Sequence, residues 1–303
     1  MTEDSRKNLR QRIRFLLDAL DLSARPVVCD VGANPIYVPS YMVLKRQGGC
    51  DVIGFEPQKE AYDQLVAAAS DQETYVNAAL GKPGPATLYA YKSQGFTSLY
   101  RLRKASLDML QRYQPQLATE QEIAVELQAL DDLEDLPPID LLKIDVQGAE
   151  LDIISGGQKA LSQAVAIIPE VRFLPLYENE PSFAELDTEL RRQGFTLHKL
   201  LDPVVQMLPS PQRDSLVRKV AASQWVDGDA VYVRNLEGMA EWSNAQLRNL
   251  ALFAATVFNS QDLALMCLAR LSDRGAAPKN IGAQYATLLQ EKYFKHGEAR
   301  AAS

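Results

Sequence analysis

The stretch Ile139–Leu151, Ile-Asp-Leu-Leu-Lys-Ile-Asp-Val-Gln-Gly-Ala-Glu-Leu, constrains this chain more than any other. Leu141, Leu142, Ile144 and Val146 make it nearly all apolar, as expected of a parallel strand covered on both faces. Lys143 and Asp145 break that run. Side chains alternate along a strand, so these two point to the same side. An unpaired charge there costs several kcal/mol, roughly, so each needs a partner or a function. A Gly-containing turn follows, then a helix start. In open α/β sheets, ligands bind beyond the carboxyl ends of the strands, which is where Asp145 stands.

The flanking chain repeats this strand-to-helix pattern. Pro26–Val31 is a strand, and Asp30, Gly32 and Asn34 form a polar loop after it. A second strand, Asp51–Pro57, ends in Glu56, where an acid commonly takes ribose hydroxyls. Pro57 then opens a helix over Gln58–Ser70. Further strands are expected over Thr74–Gly81, Ala164–Phe173, Phe195–Leu201 and Ala230–Arg234, with short β segments at Thr87–Tyr91 and Ile123–Leu127. Lys82–Pro85 reads as a turn. Thr97 or Ser98 is placed to cap a helix carrying Arg101, Arg103 and Lys104. Helices are expected over Glu150–Leu161 and over Phe183–Gln193, the latter stopped by Gly194. Leu9, Ile13, Leu16, Leu17 and Leu20 give residues 5–20 one apolar helical stripe, expected to cover an edge of the sheet. From Gly238 onward, apolar residues recur at helical spacing through 241–271 and Ile281–Tyr293, and the last few residues are expected to be disordered.

These elements predict an α/β chain with a doubly wound, seven-stranded, mostly parallel sheet. Residues 1–25 form an N-terminal helical segment, 26–236 the sheet domain, and 237–303 a C-terminal helical extension. A net charge of −7 argues against nucleic acid as the main partner. Arg6, Lys7, Arg10, Arg12 and Arg14 read as a solvated helix face, with a membrane-surface patch as the alternative. Cys29, Cys50 and Cys267 show no metal or redox spacing. With no signal-peptide core and no apolar run of membrane-spanning length, a cytoplasmic protein is expected.

Two cofactors suit such a sheet, a nicotinamide dinucleotide and S-adenosylmethionine. The loop Gly32-Ala-Asn-Pro-Ile-Tyr has one Gly where a dinucleotide fingerprint has three, which favours the cofactor without a pyrophosphate. The chain here resembles the FkbM family of methyltransferases over roughly residues 26–236. The resemblance is carried by Leu142–Glu150, Asp30–Asn34, Gly54–Pro57, Asn77–Leu80, Leu176–Glu178 and Gly194-Phe195, in the family's order. It implies a Rossmann-like class I methyltransferase fold with an antiparallel last strand, and O-methylation of sugars or complex natural products. Two departures stand out. Pro35-Ile36 follows Asn34 where the family continues Ile-Gly, and Gln147 stands where the family favours Glu.

Methyl transfer to a hydroxyl asks a site to align the acceptor and to take its proton. Asp145, Glu170 and His198 are the candidate bases. Lys143 is the partner that would hold Asp145 ionised. The plain alternatives are a helix cap or ion pair for Asp145, a salt bridge to Arg172 for Glu170, and a surface or core role for His198. The cofactor is expected at Asp30, Gly32, Asn34 and Glu56, with Asn77 and Ala78 beside the adenine if the family pattern holds. A divalent metal is left open, on Asp145 and Glu170. The acceptor is expected to be a carbohydrate or another small molecule, held by loops around 92–118, 174–182 and 203–225. The helical extension is a candidate homodimer surface. Two other functions remain open: an inactive, methyltransferase-like binding or scaffold protein, and an NAD-dependent oxidoreductase.

Overall fold

The computed structural model describes residues 3–294, apart from Asp21, Ser23 and Tyr37. The expected terminal disorder concerns residues outside this range. Ten strands are formed: β1 (Val27–Val31), β2 (Asp51–Phe55), β3 (Glu73–Val76), β4 (Ala79–Leu80), β5 (Gly84–Ala90), β6 (Gln121–Gln128), β7 (Leu141–Ile144), β8 (Ala166–Arg172), β9 (Phe195–Gln206) and β10 (Gln224–Arg234). Seven of them make one sheet in the order β3-β2-β1-β7-β8-β10-β9. Every pairing in it is parallel except the two made by β10. This is the doubly wound, mostly parallel sheet expected from the sequence, with its last strand reversed. The order turns back between β1 and β7, the place where such sheets bind ligands. A second sheet, β4-β6-β5, stands beside it. The expected Thr74–Gly81 strand is therefore two short strands in different sheets.

Alternation along the strands sorts the core into two layers. Leu142 and Ile144 of β7 join Cys29, Val31, Ile167 and Tyr232 on one face, under the helices Glu150–Ser155 and Phe183–Arg192. Leu141 faces the other way with Val28, Val52, Ile168, Val231 and Val233. The helices Glu3–Ala19, Asn244–Thr256, Gln261–Asp273 and Ile281–Thr287 cover that second face. The N-terminal helix thus covers a face rather than an edge. Its Leu9, Ile13 and Leu16 are buried in the same cluster as Leu247, Leu250 and Phe253. Ser182 and Ser243 cap two of these helices with reciprocal capping boxes, through Glu185 and Gln246. Among the described residues, no helix is long and apolar enough to cross a membrane.

β9 and β10 run further than their apolar segments suggested. The register pairs Gln206 with Gln224, so the hairpin projects past the ordinary sheet edge. The helix at Lys104–Leu110 begins after Arg103 without a side-chain cap. Ser98 instead donates to the Gln147 carbonyl, at 2.6 Å, and accepts from the Tyr100 amide. It thereby ties the 94–99 segment to the loop after β7.

Candidate active site

A cavity of about 620 Å³ opens at the carboxyl ends of β1, β2, β7 and β8. Its two halves differ in chemistry. Val31, Phe55, Ala78, Leu80, Leu88 and Leu127 form an apolar slot, and Asp145, Gln147, Glu170, Arg172 and Asp227 form a polar floor. Gln94–Thr97, Tyr113, Leu176 and Val204 complete the rim, so each of the three expected acceptor loops or its border contributes.

The slot is built around the turn after β1. Gly32 has φ +82°, and a Cβ there would lie 2.1 Å from the Asp145 carbonyl oxygen. Only glycine lets the β1 and β7 loops meet this closely. The Gly32 and Ala33 amides donate to the Phe55 carbonyl, at 3.0 and 3.1 Å. Asn34 accepts from the Ile36 amide at 2.9 Å, so it closes its own turn where Pro35-Ile36 departs from the family pattern. Of the residues expected at the cofactor, Gly32, Asn34, Glu56 and Ala78 line the cavity.

Asp30 and Asn77 do not line it. Asp30 accepts a hydrogen bond from Tyr41 and lines a smaller cavity of about 360 Å³ beside Asn34. Burial pushes its pKa up to about 6, against the pull of Tyr41 and Lys143. Asn77 donates to the Glu56 and Pro57 carbonyls, at 2.8 and 3.0 Å, and so braces the loop that carries Glu56.

Glu56 is only 3% exposed. Its Oε1 accepts from the Gln58 amide at 2.7 Å, yet burial still pushes its pKa up to about 7. Such a carboxylate is short of donors, and hydroxyl groups would supply them. Donors that favour the ionised form make ligand binding release a proton below that pKa. Cofactor affinity should therefore fall by up to about tenfold per pH unit below about pH 7 and level off above it. Calorimetric titration with S-adenosylhomocysteine across that range checks this. Glu56→Gln should bind more weakly and with a flat pH profile, and an unchanged profile would remove Glu56 from the ribose site.

The floor is a dense charge network. Lys143 lies 3.1 Å from Asp229 and 3.9 Å from Asp145, and its neighbour in register is Asp30. Burial pulls its pKa down, but Asp145, Asp229 and Asp30 outweigh that and hold it above the usual lysine value. Arg172, with its side chain 7% exposed, pairs with Glu170 at 2.6 Å, Asp227 at 3.1 Å and Glu180 at 3.5 Å. Gln147 links the two groups. Its Nε2 donates to Asp145 Oδ1 at 2.8 Å and to Glu170 Oε2 at 2.9 Å, and its Oε1 accepts from Tyr177 at 2.8 Å. The residue adopts φ +59°, a left-handed conformation held by these bonds.

Asp145 and Glu170 are thus brought together, with Lys143 behind Asp145. His198 is not. Its Nε2 shares a hydrogen bond of 2.8 Å with Ser260, and its ring meets Phe258 in the helical layer. Burial lowers its pKa. Arg172, Asp227, Asp229 and Tyr177 belong to the floor but were not singled out in the sequence.

Carboxylate oxygens of Asp145, Glu150 and Glu170 come within 4.8 Å of one another, a spacing a divalent ion could use. The three also accept hydrogen bonds from their surroundings. Glu150 accepts from the Val146 and Gly148 amides, both at 3.0 Å, and Asp145 and Glu170 accept from Gln147. Each carboxylate keeps lone pairs beyond these bonds, so Asp145, Glu150 and Glu170 are the residues that would hold a divalent ion.

The profile of the FkbM methyltransferase domain matches residues 30–197, more than half of the chain. The chain belongs to the FkbM methyltransferase family. Its cofactor is S-adenosylmethionine. The cavity lining suits it: Gly32, Asn34, Glu56, Phe55, Ala78 and Leu80 are the residues that would hold it, with the Glu56 carboxylate available to hydroxyl groups. A search of curated proteins found no significant match. Among solved structures, the chain is similar to the magnesium protoporphyrin IX methyltransferase of Synechocystis PCC 6803 with bound SAM (14% identity, 76% of this chain and 80% of that one, TM-score 0.33). It is also similar to a TehB-like SAM-dependent methyltransferase of Corynebacterium glutamicum (13% identity, 74% and 87%, TM-score 0.36). A third likeness is to the N-terminal domain of EvdMO1 with SAH and D-fucose (11% identity, 75% and 83%, TM-score 0.34).

Proposed function

We propose that this methyltransferase acts on a hydroxyl of a sugar, a glycoconjugate or a related natural product, and that Asp145 takes the hydroxyl proton. The exposure of Asp145 carries the reading. Its side chain is 41% exposed, against 13% for Glu170 and 15% for Asp227, while Asp229, 35% exposed, does not line the cavity. The cofactor supplies a sulfonium methyl group that is already electrophilic. The chain's own task is positioning and proton transfer. Gln147 holds Asp145 Oδ1 by a hydrogen bond of 2.8 Å and Lys143 attracts Oδ2 from 3.9 Å, which orients the carboxylate toward an incoming hydroxyl. The proton passes to Asp145 as the acceptor oxygen gains the methyl. A floor of carboxylates, an amide and a tyrosine suits a polyhydroxylated acceptor, which brings many donors of its own.

The test is methyl transfer from labelled cofactor to a panel of sugars and glycoconjugates, with the products analysed for acid-stable ethers. Transfer to amines alone would overturn the reading. Absence of S-adenosylhomocysteine binding would favour the inactive scaffold instead. We further propose that the C-terminal extension acts as one unit with the sheet, whose second face its described residues help to cover. Their expected role in self-association remains a proposal, and a monomeric mass in light scattering would remove it.

A further inference from the structure

We infer that the tip of the β9–β10 hairpin is a docking surface for an anionic lipid bilayer. Six of the thirteen exposed large apolar side chains among the described residues fall between Val204 and Trp225. Val217 is 68% and Val220 84% exposed, with Leu208 and Leu216 close in sequence. Exposed apolar groups concentrated in one short segment of chain mark an interaction surface rather than ordinary surface scatter. Between residues 203 and 225, Arg213, Arg218 and Lys219 stand against the single acid Asp214, in a chain whose net charge is −7.

The tip lies at the cavity end of the molecule. β10 runs antiparallel to β8, and Asp227 pairs with Arg172 at the carboxyl end of β8, so residues before Asp227 project past that end. The base of the hairpin is anchored. Gln206 accepts from Arg112 at 3.0 Å and donates to Tyr113 at 3.2 Å, and the Trp225 ring meets Phe173 edge-on. Tyr113 and Val204 both line the cavity, so the docking surface is continuous with the cavity rim.

The chemistry selects the occupant. Val217 and Val220, the most exposed of them, line neither of the cavities described above, which suits insertion between lipid headgroups more than capture of a peptide in a groove. A two-fold contact between copies would set the same basic tip against itself. Basic residues beside apolar ones instead match anionic headgroups over an acyl layer. If the O-methyl transfer proposed above holds, the acceptor would present a hydroxylated head to the cavity while its apolar anchor stays in the bilayer. Only that last step rests on the transfer reading.

Sedimentation with vesicles tests the docking without any acceptor. The full chain should pellet with vesicles of equal parts phosphatidylcholine and phosphatidylglycerol, less with phosphatidylcholine alone, and less as salt is raised. The double variant Val217→Asp/Val220→Asp should lose vesicle affinity by about tenfold or more, while binding S-adenosylhomocysteine as the parent does. No binding of the parent to the anionic vesicles would overturn the inference, and so would equal binding by the variant. A concentration-dependent dimer abolished by the same variant, without vesicle binding, would assign the surface to self-association and also overturn it.

Discussion

Asp145→Asn should lower methyl-transfer turnover by roughly 10²–10⁴-fold, the usual worth of a positioned general base, and leave cofactor affinity unchanged. Asparagine is nearly isosteric, and its side-chain oxygen can still accept from Gln147, which now holds Asp145 Oδ1 at 2.8 Å. Lys143 keeps Asp229 at 3.1 Å, so the buried ammonium is not abandoned. The variant should therefore fold and keep its cofactor affinity, since the expected cofactor residues Gly32, Glu56 and Ala78 line the cavity and are untouched by it. What it lacks is an acceptor for the hydroxyl proton. Paired measurements separate the roles: turnover under saturating cofactor, and the S-adenosylhomocysteine dissociation constant by calorimetry. Turnover within a few-fold of the parent would remove Asp145 from the proton transfer. Loss of cofactor binding with turnover would make it a structural residue of the slot.

The sheet was legible because its strands are short apolar runs separated by Gly- and Pro-containing turns. The unexpected charge pair Lys143 and Asp145 pointed to the site for the same reason, since alternation puts both on one side. That rule also shows what was missed. Asp227 and Asp229 are another alternate pair, in the strand β10, and they supply partners to Arg172 and Lys143. The apolar pattern begins only at Ala230, so the strand was expected to start after them. Arg172 follows Glu170 by two residues and was seen only as its neighbour. No local pattern says that Glu180 and Asp227, from other parts of the chain, close on the same guanidinium. Asp30 ends up inside β1 and Asn77 in the loop after β3, and their hydrogen bonds are to Tyr41 and to the Glu56 and Pro57 carbonyls, not into the cavity. His198 lies inside β9, where only the packing of the C-terminal helices decides which layer it meets.

Arg172→Met should destabilise the protein by about 3–5 kcal/mol at neutral pH, the cost of leaving a buried ion pair half-removed. Stabilities of ordinary domains run to about 5–15 kcal/mol, so this is a large share of the total. Methionine preserves much of the side-chain length but leaves Glu170, Asp227 and Glu180 without their shared cation. It also removes the donor to Gln147 and the contact with the Tyr177 ring. In the parent, burial already raises the pKa of all three acids, and Arg172 pulls each of them back down. Raised folded-state values mean that their contribution is fully present below the unfolded carboxyl pKa of about 4 and is lost as pH rises through the folded values. Without Arg172 those values rise further, so more stability is lost over the same climb in pH. The gap between variant and parent should consequently be smallest near about pH 5 and widen toward about pH 8. Urea unfolding at both ends of that range measures it. An equal deficit at the two pH values would mean that Arg172 acts through packing rather than charge, and no deficit would mean that water or rearranged donors satisfy the three acids.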